Sequence, residues 1–151
     1  MKKKTSKKTK GFSLIELLIV VAIILIIAAI AIPNLLRARR SANEGSATAS
    51  MRTLGSGELL YRSTNGNFTD LAGLAADSII DNVLGSGTKS GYGFAAAAGT
   101  STDLQFTATG VPSVSTGATQ TGARFFFTDE TQVVRFAVGA AATSGSGAIG
   151  N

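Results

Sequence analysis

Between Lys10 and Arg37 a single side chain ionises: Glu16, near the start of an apolar run that begins at Phe12 and continues to Leu36. The run exceeds the roughly 20 residues that a helix needs to cross the hydrocarbon of a bilayer. It carries no polar stripe, as expected of a helix embedded in lipid or buried among other helices. A carboxylate in such a segment costs about 2.5–3.5 kcal/mol at a bilayer centre and less near an edge, so Glu16 requires a partner.

The residues around Glu16 supply a resemblance. Gly11-Phe12-Ser13-Leu14-Ile15-Glu16, preceded by a lysine-rich leader and followed by Pro33 inside a long helical pattern, resembles the N-terminus of type IV prepilins and their pseudopilin relatives. The resemblance implies that a membrane peptidase cuts between Gly11 and Phe12, that the new N-terminal Phe12 is methylated, and that Glu16 directs assembly into a filament. The cut would leave a cationic amine on Phe12, one helical turn from Glu16, and an opposite charge at that distance makes a buried carboxylate tolerable. The pair can form within one chain or between staggered neighbours. The residues alone leave both open, and the resemblance favours the second.

The net charge of +5 suggests nucleic acid until the charges are placed. Lys2, Lys3, Lys4, Lys7, Lys8 and Lys10 are six of the fourteen basic residues, all upstream of the expected cut, and the eight that remain face nine acids. The basicity therefore belongs to the leader, where it holds the N-terminus in the cytoplasm and sends the rest outward. A basic nucleic-acid arm directly in front of a membrane span is disfavoured. A secretory signal ending at Ala29-Ile30-Ala31 is a rival reading of the same run. It would start the mature chain at Ile32-Pro33 and leave Glu16 without a purpose.

Pro33 lacks the N–H that would bond the carbonyl of Ala29, so a helix break or loosening is expected there. Arg37, Arg39 and Arg40 follow, suited to lipid headgroups, to acids of neighbouring subunits, or to water. From Asn43 to Arg62 the pattern is amphipathic, with Ala47, Met51, Leu54 and Tyr61 near helical spacing and Glu58 interrupting them. Gly45, Gly55 and Gly57 each weaken an isolated helix by about 1 kcal/mol, so this half depends on packing against a sheet. One helix from Phe12 to Arg62 would span roughly 75 Å. Asn65-Gly66-Asn67 should stop it.

Beyond the stop, residues 65–91 read as a loop with one or two helical turns, capped by Thr69 or Asp70. Residues 92–138 read as strands. Tyr92, Phe94 and Ala96 alternate with small residues; Leu104, Phe106 and Ala108, then Phe125 and Phe127, then Val134, Phe136 and Val138 each share a face. The Gly/Ala/Ser-rich residues 139–151 are expected to be a flexible tail. The fold class is thus α+β, with a long N-terminal helix on an antiparallel sheet of about four strands. Its parts are a leader (1–11), a membrane or filament-core helix (12–36), the amphipathic half (37–64), the loop, the sheet and the tail.

Tyr61-Arg62-Ser63, Thr69-Asp70-Leu71, Gly87-Thr88-Lys89-Ser90-Gly91-Tyr92 and Arg124-Phe125-Phe126-Phe127-Thr128-Asp129 extend the resemblance to bacterial pilin-like proteins. Relatives often carry Gly in the last hairpin turn, where this chain has Gln132. It also has no Cys, unlike pilins that close a C-terminal loop with a disulfide, so the distal part holds by packing alone.

With neither His nor Cys, the usual metal and nucleophile chemistry is excluded, and the acids Asp77, Asp81, Asp129 and Glu130 lack catalytic companions. No catalysis, cofactor or metal is expected. Gly85-Ser86-Gly87-Thr88-Lys89-Ser90 lacks the spacing of a phosphate loop and reads as a turn. Major pseudopilins of type II secretion bind calcium in a C-terminal loop, and here no acid follows Glu130. The expected role is a structural pilus subunit, processed by a prepilin peptidase and polymerised by an assembly machinery in the inner membrane into an extracellular helical homopolymer. The alternatives are a pseudopilin or minor pilin, and a single-span anchor for a small β-rich binding domain.

Overall fold

The computed structural model describes residues 11–99 and 104–150. The leader lysines, on which the charge placement rests, lie outside the described residues. The chain divides between Leu35 and Leu36 into two units.

In the first unit, helix α1 (Leu14–Asn65) begins immediately after Ser13. Its large apolar side chains from Leu14 to Leu35 are exposed. Among the described residues this is the one helix long and apolar enough to cross a membrane. Pro33 lies inside α1, so the helix does not end there. What remains of the expected break is the missing donor to the carbonyl of Ala29.

In the second unit, α1 carries the stripe read from the sequence. Ala47, Met51 and Leu54 are fully buried, and Glu58, in the next turn of the same face, is buried with them. The helix ends at Asn65, where Gly66 takes φ +80° and donates its N–H to the carbonyl of Arg62 at 2.8 Å. That left-handed residue terminates the helix at little steric cost. Two short helices follow, α2 (Leu71–Ala76) and α3 (Asn82–Gly85). Asp70 caps the first by accepting from the N–H of Gly73, and Asp81 caps the second by accepting from that of Leu84.

Six strands then form one antiparallel meander in chain order: β1 (Thr88–Lys89), β2 (Tyr92–Ala98), β3 (Phe106–Pro112), β4 (Arg124–Asp129), β5 (Arg135–Val138) and β6 (Gly147–Ala148). The four long strands match the expected number, and two two-residue edge strands are added. The β1–β2 hairpin turns on Ser90 and Gly91, both at positive φ, as a two-residue hairpin loop with the favoured twist requires. The sheet's inner face brings Tyr92, Phe94, Phe106, Ala108 and Phe126 onto Met51 and Leu54, with Phe68, Leu74 and Leu84 closing the side.

Three sequence expectations are corrected. Phe126, not Phe125 and Phe127, turns inward: it is 1% exposed and pairs with Phe136, while its two neighbours sit half-buried on the other face. Leu104 lies ahead of β3 and is exposed. The expected free tail folds back instead. Gly139 turns at φ +73°, Ala142 is buried, β6 pairs with β5, and the N–H of Ile149 donates to the carbonyl of Val134 at 2.8 Å. Small side chains let this segment lie along the sheet edge, and Ile149 anchors it on the core.

Candidate functional site

Gly11, Phe12 and Ser13 precede the first helical turn and are exposed, Phe12 to 78%. A Cβ built on Gly11 meets nothing within 4 Å, so nothing in the chain's own packing demands glycine there. Any demand comes from outside the fold.

Glu16 sits in the first turn of α1. Its Oε2 accepts the backbone N–H of Ser13 at 2.8 Å, while the carbonyl of Ser13 accepts the N–H of Leu17 at 3.2 Å. This is one half of a capping box, in which a Glu in the first turn reaches back to satisfy the N–H of the residue that opens the helix. The Ser-x-x-Glu spacing of Ser13 and Glu16 is the sequence signal for it. The carboxylate also complements the positive end of the helix dipole. Glu16 therefore has a local partner, and among the described residues no second donor reaches Oε1.

Other polar contacts fix the second unit around α1, and none was predicted from sequence. Asn43 Nδ2 donates to the carbonyl of Thr121 at 3.0 Å, and Glu44 Oε1 accepts the N–H of Ala123 at 2.8 Å. Glu44 Oε2 lies 3.5 Å from Arg124 Nε. Together they tie the β3–β4 connection to the helix. Gln132, at φ +62°, donates Nε2 to the carbonyl of Gly55 at 3.0 Å. A Cβ on Gly55 would lie 2.7 Å from Gln132 Oε1, so a larger residue there would displace the end of the Gln132 side chain.

Glu58 is the second unusual carboxylate. Oε2 accepts the N–H of Thr69 at 3.1 Å, while Oε1 is buried without a partner. Burial pushes its carboxyl up to about 7, against the opposing Thr69 hydrogen bond and with some help from the nearby negative charge of Asp70. Asp81 does the opposite: Lys89 Nζ at 2.8 Å and the N–H of Leu84 hold it below the usual carboxylate range.

The geometry thus presents an exposed, unstructured junction at Gly11-Phe12 and one carboxylate in a span with no other charge. The prokaryotic N-terminal methylation motif matches residues 6–32. The type IV major pilin protein PilA of Myxococcus xanthus is 35% identical over 135 residues, covering 84% of this chain and 58% of the relative. The type IV wide pilus major component PilA4 of Thermus thermophilus is 48% identical over 63 residues, covering 42% of this chain and 48% of the relative. The chain spans about half the length of these relatives.

Proposed function

We propose that this chain, a type IV prepilin by its N-terminal motif and its likeness to two major pilins, is the structural subunit of a type IV pilus. It is a building block and a peptidase substrate, not an enzyme. It waits in the inner membrane with its leader in the cytoplasm. A prepilin peptidase cuts between Gly11 and Phe12, Phe12 is methylated, and the assembly machinery draws the chain into an extracellular fibre.

The observation that carries this reading is the lone Glu16 beside an accessible Gly11-Phe12 junction at the head of an exposed apolar helix. Lipid tails are as apolar as leucine, so exchanging lipid for the helices of neighbours changes little in hydrophobic energy. Direction must come from the polar groups. Cleavage frees an amine at Phe12, and the Oε1 of a neighbouring Glu16 accepts it while Oε2 keeps its bond to Ser13. The two charges neutralise each other in the apolar fibre core, where either alone would be costly. Pro33 removes one backbone hydrogen bond and leaves α1 a place to loosen during extraction from lipid.

Replacing Glu16 by Ala tests this. The variant is expected to be cut and methylated normally, shown by mass spectrometry of a chain starting at Phe12, yet to be missing from sheared surface fibres. Unchanged fibres would overturn the assembly role, and a mature start at Ile32 would favour a secretory signal. A plain membrane anchor would tolerate the substitution.

A further inference from the structure

At the end of α1, Leu60, Thr64, Asn65, Asp77 and Ile79 line a surface depression of about 300 Å³. Its floor is apolar, and Leu60 is 56% exposed. Its rim is acidic: Asp77 is exposed, and its Oδ2 accepts a long 3.4 Å bond from Asn65 Nδ2. The C-terminal end of a helix already carries partial negative charge, so a carboxylate beside it is unfavourable until a cation arrives. No cation of the same chain fills the place among the described residues. The two ion pairs there are Lys89–Asp81 and Arg124–Glu44, and Arg62, the nearest in sequence, lies over the Phe68 ring at 5.1 Å.

An apolar floor with an acidic rim suits arginine, whose methylene stem covers apolar surface while its guanidinium forks onto a carboxylate. Near the start of the second unit, Arg37 and Arg39 are exposed and take part in neither ion pair. With Arg40 they crowd three positive charges into four residues. The one acid within a turn, Glu44, is held by Ala123 and Arg124.

We propose that the depression at Leu60, Asp77 and Ile79 is a socket for Arg37 or Arg39 of a second copy of this chain. The proposal rests on the fibre reading above. Copies in such a fibre run parallel, and Arg37 and Asn65 are separated by roughly 40 Å of helix, so the copies that meet are displaced by about that distance. This neighbour differs from the one that Glu16 reaches, whose offset from Phe12 is one helical turn. The socket therefore links subunits along the fibre, while the Glu16 contact sets the stagger of adjacent ones.

The absence of Cys makes the test clean. The full chain carrying Asp77→Cys with Arg37→Cys, or Asp77→Cys with Arg39→Cys, is expressed in a fibre-forming host, and sheared fibres are treated with a bis-maleimide cross-linker, because an arginine–aspartate pair holds its Cα atoms beyond the roughly 7 Å that a disulfide spans. A ladder of cross-linked oligomers is expected from at least one pair and from no single variant. Intact fibres without a ladder from either pair overturn the socket but leave the subunit role standing, whereas a wild-type chain that never enters fibres overturns the subunit role itself. If the cysteine chains fail to assemble, charge reversal decides. Asp77→Arg alone, or Arg37→Asp with Arg39→Asp, should lower sheared fibre roughly fivefold, about one exposed ion pair's worth, and the combination should restore it. A combination no better than its parts, or arginine variants that only loosen the precursor from anionic vesicles, assigns the arginines to lipid headgroups and overturns the socket.

Discussion

Glu58 shows how one residue in an apolar stripe sets a pH response. The spacing of Met51, Leu54 and Tyr61 placed it on the buried face, and the sequence reading took it as an interruption; it is fully buried there instead. Its carboxyl titrates near 7 when folded against an ordinary 4.5, so the folded chain binds the proton more tightly. The associated stability is complete below about 4.5 and is lost as pH climbs through about 7. Unfolding of the purified chain in urea is expected to show it less stable at pH 8 than at pH 5, by on the order of 2–3 kcal/mol. Glu58→Gln should flatten that difference while still accepting from Thr69. A wild-type chain equally stable at both pH values would show that the carboxyl is not held in a dry site. Gln132 carries the complementary lesson. It takes positive φ where relatives often carry glycine, and its compensation, a bond to the Gly55 carbonyl, comes from a residue distant in sequence.

At the level of elements, α1 and its end at Gly66 were legible because local physics decides both: uniform apolarity, helical spacing, and a glycine free to take positive φ. The capping role of Asp70 was legible for the same reason. Strand phase was not. In Arg124-Phe125-Phe126-Phe127 a two-residue period fits either face, and the choice falls to partners, Phe136 across the ladder and Gly110 opposite. The tail was misread because composition describes what small residues permit and says nothing of the Val134 carbonyl that Ile149 reaches. The β3–β4 connection depends on a similar distant anchor, Glu44, which holds the N–H of Ala123. Glu44→Ala should raise amide hydrogen exchange across residues 114–123 by at least about tenfold, the weight of one charge-assisted bond. Exchange that rose no faster there than in β2 would show the connection to be held otherwise.

For the whole molecule, the candidate site was legible in a few residues, Gly11, Phe12 and Glu16, because a lone charge in an apolar span stands out. The bond from the Ser13 N–H to Glu16 is legible only as a Ser-x-x-Glu spacing. The division of the chain has a direct consequence. Among the described residues, all of the buried core lies beyond Leu36, and most of the exposed large apolar side chains lie before it. A fragment starting at Leu36 is expected to unfold cooperatively and to run as a monomer in detergent-free buffer, whereas the chain starting at Phe12 needs detergent or aggregates. A fragment that aggregates or melts without cooperativity would show that the span contributes to the head's stability.

The meander, in which every strand pairs with the one made just before it, matters for a polypeptide that folds in the order in which it is made. Each hairpin can close as soon as its second arm emerges, without waiting for a distant segment and without threading. The last arm to arrive, β6, only trims an edge. A chain that stalls late in synthesis would thus already hold almost its entire head, with few loose ends for a protease to attack.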